Sequence, residues 1–175
     1  YTRPDLPVAT MDELIDYARK EAAAGRPITY ASVGPGSFYH LLGAQLLRFE
    51  VGESEIALDI RDELHNSWQV AHGGVLMTLL DVAMAQATRT PRKPEEGPDP
   101  RGVVTIEMKT TFMRPARGRV RCVGKLLHRS AALAFCEGTL YDEAGERLAH
   151  ATGTFKFLAG LPVDGRRIQS PDASD

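Results

Sequence analysis

The sequence predicts an α+β fold in which a strongly curved antiparallel sheet wraps around one long central helix. Three observations lead to this prediction. Two strand-like segments precede a long apolar helix, and four strand-like segments follow it. The helix is apolar on most of its sides, so it must be enclosed rather than laid on a surface. The four later strands are joined mostly by short turns, which is typical of an antiparallel meander.

The composition is that of an ordinary globular chain. The 175 residues include 43% apolar and 25% charged residues, and the net charge is −2. This length suits one domain with a sizeable core, and the charge balance argues against a nucleic-acid partner. No apolar run approaches the roughly 18 residues of a membrane span, and no secretory leader opens the sequence. Two cysteines suit a reducing compartment, so we expect a cytoplasmic protein without a membrane partner.

The elements of the first half follow from local patterns. Residues 1–36 are predicted to be an N-terminal extension with a helix over 11–25, where apolar residues recur at helical spacing. Residues 37–43 fit a short amphipathic helical turn. Two strands are predicted next, at 44–52 and 53–61, and the second alternates clearly between apolar and charged residues.

The second half begins with the apolar helix over 71–89 and a mobile loop over 90–102, which contains four prolines and no apolar pattern. Further strands are predicted at 103–115, 119–128, 131–142 and 147–158, with turns at 128–130 and 143–145. The first of these strands is expected to alternate, with Val104, Ile106, Met108 and Phe112 on one face and Thr105, Glu107 and Lys109 on the other. The domain is expected to span 37–159, followed by a flexible tail over 160–175.

The apolar helix carries one carboxylate, Asp81, near its middle, although ionised carboxylates are rarely buried without partners. At 100° per residue it shares a stripe with four small residues, Gly74, Thr78, Ala85 and Thr88. One interpretation is that this stripe is the solvated side of the helix. We favour a ligand site or subunit contact, because solvated stripes usually carry Lys and Glu whereas small residues suit close approach.

The start of the same helix offers hydrogen-bond donors. Its first N–H groups lack helical partners, and Gly73 and Gly74 would let a substrate carbonyl come close, as in an oxyanion hole. The alternative is that the two glycines only allow a tight turn between the loop and the helix. Gly73 and Asp81 are eight residues apart, roughly 12 Å along a helix, too far to serve one substrate atom. Two antiparallel copies bring them together, so an active site here predicts a dimer with shared sites.

The segment NSWQVAHGGVLMTLLDVAM, residues 66–84, resembles the motif of the hotdog-fold acyl-CoA thioesterases. It is most similar to the PaaI-like branch, within the superfamily of phenylacetyl-CoA and 4-hydroxybenzoyl-CoA thioesterases. The pattern is an Asn, five intervening residues, a His-Gly-Gly and an acid nine residues after the His. Residues 102–118 and 130–157 also resemble this family, and the resemblance extends over about 37–158.

The resemblance implies a metal-free acyl-CoA thioesterase with the hotdog fold, and it gives each motif residue a role. Asp81 would be the general base for water or the nucleophile on the thioester carbonyl. Gly73 N–H of the partner subunit would polarise that carbonyl, and Asn66 would position water or the thioester. Thr105 would help to orient the water, while His72 would hold the helix start rather than act as the base. No cofactor is expected, because coenzyme A is part of the substrate.

A second set of residues is expected to contact the substrate. Residues 101–129 carry eight Lys or Arg and only one acid, which suits the phosphates of coenzyme A. The alternative is a solvated sheet surface, since Arg117, Arg119 and Arg121 would share one strand face. The predicted substrate-binding residues are Gly74, Trp68, Met77, Arg114, Arg117, Arg129 and Ser130.

Two other functions and several details stay open at this point. A non-catalytic acyl-CoA-binding or sensing module could use the same fold. A hotdog hydratase or dehydratase is disfavoured, because it would pair Asp81 with a nearby downstream His and none follows before His128. The residues do not distinguish aliphatic from aryl acyl groups, nor a homodimer from a dimer of dimers, although long edge strands tend to find partners.

Overall fold

One long helix and six strands form the predicted α+β architecture. The computed structural model describes residues 39, 42–99 and 101–158. Helix α1 spans Gly73–Arg89. The strands are β1 (Gln45–Glu50), β2 (Glu53–Ile60), β3 (Gly102–Phe112), β4 (Gly118–Arg129), β5 (Leu133–Tyr141) and β6 (Arg147–Leu158).

The chain divides into two units, Tyr1–Gln45 and Leu46–Asp175. Helix α1 and strands β2 to β6 belong to the second unit. The helix expected at 11–25 and the tail expected at 160–175 lie outside the described residues, and the turn expected at 37–43 is described only in part. No helix among the described residues is long and apolar enough to cross a membrane.

Helix α1 packs directly on the sheet and contacts strands β2 to β6. On the sheet side, Ala83 and Met84 are fully buried. Ser54 on β2 donates a hydrogen bond from Oγ to Ala83 O at 2.6 Å, and its partner across the strands is Gly124 on β4. A Cβ atom on Gly124 would lie only 2.4 Å from Ala83 O. Glycine is therefore required where the helix backbone meets the sheet.

The strand order β1-β2-β4-β5-β6-β3 departs from the predicted four-strand meander. β4, β5 and β6 follow one another as expected, but β3 pairs with β6 and not with β4. The segment after β3 stays beside β6 and does not form a hairpin with β4. Met113 N–H and Arg114 N–H both donate to Leu148 O of β6. It then passes the start of α1, where Ala71 N–H donates to Ala116 O at 2.9 Å. β3 thus forms one edge of the sheet.

A β-bulge at Ile106 breaks the alternation expected for β3. The register against β6 shifts at this residue. Thr105 pairs with the fully buried Phe155, so Thr105 faces the helix. Ile106 is 55% exposed, and the expectation that Val104 and Ile106 share one face with Met108 and Phe112 is wrong. The extra residue returns Met108 to the helix side, as bulges do.

The turn between β4 and β5 lies slightly later than expected. β4 continues to Arg129, so residues 128 and 129 are strand and not turn. Ser130 then closes the connection: its Oγ accepts a hydrogen bond from Leu133 N–H at 2.9 Å, and its own N–H donates to Leu133 O at 2.8 Å. A serine side chain that bonds nearby backbone groups is a common way to stabilise such a turn.

Candidate active site

Asp81 of α1 is paired with Thr105 of β3. Thr105 Oγ1 donates a hydrogen bond to Asp81 Oδ1 at 2.6 Å, a short distance that is typical of a hydroxyl bound to a carboxylate. Asp81 is half-buried and Thr105 is exposed. The bulge at Ile106 makes this contact possible, because regular alternation of β3 would have turned Thr105 away. One carboxylate oxygen is thereby held in place, while no described residue donates a hydrogen bond to the other.

The start of α1 is organised by His72. Its main chain is extended, with φ −62° and ψ 134°, and its Nδ1 accepts a hydrogen bond from Gly74 N–H at 3.0 Å. His72 is therefore the N-cap, and its ring carries its proton on Nε2 when neutral. No described residue accepts a hydrogen bond from Gly73 N–H. The helix start thus keeps one N–H donor available.

Asn66 holds the loop that leads into α1. Its Oδ1 accepts a hydrogen bond from Trp68 N–H at 2.9 Å and is 3.5 Å from Val70 N. Its N–H donates to Val70 O at 2.8 Å. Gln69, within this loop, has φ 56°, a left-handed conformation that is uncommon outside glycine. The oxygen of Asn66 is used by the loop, so any direct contact with a ligand would come from its amide NH₂.

Most of the basic residues are neutralised by neighbouring acids. On the outer face of the sheet, three basic residues of β4 form ion pairs with acids of β2. The pairs are Arg119 with Asp59 at 3.0 Å, Arg121 with Glu55 at 2.5 Å and Lys125 with Glu53 at 3.3 Å. The observed face is therefore a ladder of cross-strand ion pairs.

Arg114 and Arg117 lie outside the strands. Arg114 pairs with Glu146 at 2.6 Å. Arg117 is exposed and has no ion-pair or hydrogen-bond partner among the described residues. It lines a cleft of about 650 Å³ together with Asn66 and Gln69. Arg117 is thus a basic residue near the predicted site whose charge is available to a ligand.

Arg129 serves the C-terminal end of the helix. Its guanidinium donates hydrogen bonds to Thr88 O and Thr90 O and lies 3.9 Å from Asp99. Only 10% of its side chain is exposed, and burial lowers the pKa of Arg129. A buried cation at a helix C-terminus satisfies the last carbonyls and the dipole. The structure gives Arg129 and Ser130 roles in the fold, although both line a surface cleft of about 660 Å³.

The loop over 90–102 is fastened beside Arg129. The Arg101 side chain donates a hydrogen bond to the Asp99 carboxylate at 2.7 Å. This hydrogen bond is the main reason that the pKa of Asp99 is lowered. The Arg101 guanidinium also lies 3.9 Å from the centre of the Phe157 ring. The prolines predict a mobile loop, and the contacts of Asp99 and Arg101 that anchor its C-terminal end have no signal in the sequence pattern.

Of the remaining predicted residues, Gly74 and Met77 lie on α1 and Trp68 lies in the loop before it, and all three are exposed. Gly74 and Thr78 are exposed, Met77 is 39% exposed and Trp68 is 80% exposed. Thr88, at the far end of the same stripe, is fully buried. The stripe of small residues is thus exposed to solvent around Asp81 and buried near the C-terminal end of α1. Among the described residues, no three His, Cys, Asp or Glu side chains lie together as metal ligands would.

Residues 69–149 match the family model of the thioesterase superfamily. The chain is also similar to two candidate esterases from Saccharolobus solfataricus. One is 25% identical over 118 residues and the other is 25% identical over 121 residues. These alignments cover 67% and 69% of this chain and 75% and 82% of the two relatives.

Solved structures give the same comparison in three dimensions. A conserved protein from Pseudomonas aeruginosa is 29% identical, with a TM-score of 0.63 over 71% of this chain and 95% of that chain. A variant of the phenylacetic acid degradation protein PaaI from Thermus thermophilus is 28% identical, with a TM-score of 0.60 over 69% and 98%. The PaaI protein of Escherichia coli is 18% identical, with a TM-score of 0.65 over 83% and 96%, and is similar in fold.

Proposed function

Because residues 69–149 belong to the thioesterase superfamily, we propose that this protein hydrolyses acyl-CoA thioesters to a free acid and coenzyme A. The observation that carries the proposal is the 2.6 Å hydrogen bond between Thr105 and Asp81 on the open side of the central helix. A carboxylate held on one oxygen and free on the other suits a general base.

The reaction needs two groups around one carbonyl. Asp81 takes a proton from water, whose oxygen adds to the thioester carbonyl carbon. The carbonyl oxygen becomes an oxyanion, which Gly73 N–H stabilises. When the intermediate collapses, the carbon–sulfur bond breaks, and the thiolate of coenzyme A leaves and takes up a proton. Direct attack by Asp81, which would form an anhydride that water then cleaves, uses the same groups.

The proposed site is shared between two copies of the chain. Gly73 and Asp81 stand on one helix, eight residues and roughly 12 Å apart. Both must lie within about 3.5 Å of the reacting carbonyl. Gly73 of one subunit and Asp81 of the other meet this requirement in an antiparallel pair of helices, so we propose a homodimer with two equivalent sites.

The proposal is tested by following thiol release with a dye over acyl-CoAs from acetyl to palmitoyl, with phenylacetyl and benzoyl included. We expect release that is fastest for some acyl groups. Burial raises the pKa of both protein thiols, that of Cys136 to about 12, so the folded protein should contribute little background. Tight binding of acyl-CoAs without release from any of them would instead favour a binding module.

Thr105→Val removes the hydroxyl that holds Asp81 while keeping the shape of the side chain. We expect kcat to fall about 10- to 100-fold with KM nearly unchanged, because a misoriented base loses catalysis more than binding. Thr105→Ser keeps the hydroxyl and should retain most of the activity. Steady-state kinetics of both variants check this prediction, and equal activities of Val and Ser variants would contradict it.

A further inference from the structure

The ring of Phe112 lies beside the start of α1. A Cβ atom built on Gly73 would be 3.5 Å from Phe112 Cζ and 3.8 and 3.9 Å from its two Cε atoms. The tip of the ring therefore points at Gly73. Phe112 is the last residue of β3 and pairs with the buried Ala149, which places it on the helix-facing side of the sheet.

This ring borders the proposed oxyanion donor. A carbonyl oxygen bound by Gly73 N–H would lie about 3 Å from that nitrogen. In a ligand that lies on the side of Gly73 facing the Phe112 ring, the carbon atoms attached to the carbonyl carbon would then come within van der Waals reach of that ring. Phe112 as a residue is 49% exposed, so part of its apolar surface is open to a ligand.

We infer that Phe112 makes the site narrow at the carbon next to the thioester carbonyl, so that the protein prefers acyl groups with a CH₂ at this position. Straight-chain and arylacetyl groups meet this condition, whereas α-branched and aroyl groups require the space that the ring occupies. The inference rests on the proposed hydrolysis of acyl-CoAs. One misplaced methyl group in an apolar site changes selectivity by about 10- to 200-fold.

The test compares kcat/KM for butanoyl-CoA and isobutanoyl-CoA, two isomers that differ only in branching next to the carbonyl. Wild type should prefer butanoyl-CoA by about 10-fold or more, and Phe112→Ala should reduce this preference to within about 3-fold. Phe135→Ala is the matched control, since Phe135 is 40% exposed on β5 and its ring lies 6.2 Å from that of His128. Its selectivity should equal that of wild type.

Three results would overturn the inference: equal wild-type rates for both isomers, an unchanged preference in Phe112→Ala, or a dimer that dissociates in this variant and so assigns the ring to the subunit contact. Absence of hydrolysis by wild type would count against the proposed thioesterase activity instead. The preference would then be measured by calorimetry as the ratio of Kd values for the thioether analogues of the two isomers. Equal Kd values for wild type would overturn the inference there as well.

Discussion

Asp81→Asn is expected to lower kcat for the best acyl-CoA by about 1,000-fold, within the range that general-base catalysis contributes. The amide oxygen of Asn can still accept the hydrogen bond from Thr105 Oγ1, so position and packing are preserved. The amide cannot take a proton from water or attack the thioester. Thiol release under saturating substrate measures the loss.

Asp59→Asn is the matched control, because Asp59 is an exposed carboxylate that pairs with Arg119 on the outer face of the sheet. It should hydrolyse like wild type, since surface ion pairs contribute little. Circular dichroism and thermal unfolding should be the same for both variants. Unchanged turnover by Asp81→Asn would remove Asp81 from the mechanism.

Gly124→Ala is expected to lower the free energy of unfolding by about 3 kcal/mol, at the upper end of the usual range for overpacking. The added Cβ would lie 2.4 Å from Ala83 O and 2.8 Å from Met84 N. These are backbone atoms of the central helix, so no side chain can rotate away. The helix must move off the sheet, and the hydrogen bond from Ser54 to Ala83 O must lengthen.

Calorimetry should show a decrease in Tm of roughly 6–12 °C for a chain of this size. Gly97→Ala is the control, because a Cβ there meets nothing within 4 Å and the backbone has no positive φ. Its stability should equal or slightly exceed that of wild type. A Gly124→Ala protein with the wild-type Tm would show that the helix and the sheet are not in the close contact described.

The elements could be predicted from the sequence because each has a local pattern. The strand expected at 147–158 is observed as Arg147–Leu158, and the helix expected at 71–89 as Gly73–Arg89. Period-two and period-3.6 repeats depend only on residues close in the chain. The pairing of β3 with β6 could not be predicted in this way, because it joins residues about 45 positions apart and has no local signal.

In the candidate site, too, local patterns could be predicted and long-range contacts could not. The resemblance predicts that Asp81 and Thr105 act together, whereas the alternation expected for β3 puts Thr105 on the face opposite to Met108 and Phe112. The bulge at Ile106 resolves this conflict, but the residue types at 105–108 do not predict a bulge. Charge alone also could not separate Arg129, buried against the helix end, from Arg117, which has no partner among the described residues.

The shared site is the central claim, and complementation between two inactive variants tests it most directly. Asp81→Asn removes the base, and Gly73→Pro removes the N–H donor. Proline is tolerated at the first helical position, and His72, with ψ 134°, already has the extended conformation that proline requires of the residue before it. Gly73→Ala keeps the N–H, its Cβ fits at 3.5 Å from Phe112, and it should stay active.

The two variants are co-expressed with different tags and the heterodimer is purified. In a shared site, Gly73 of the Asp81→Asn subunit meets Asp81 of the Gly73→Pro subunit, which restores one of two sites. The heterodimer should then have about half of the wild-type kcat per dimer, while each homodimer has almost none. A heterodimer no more active than its parents would contradict the shared site.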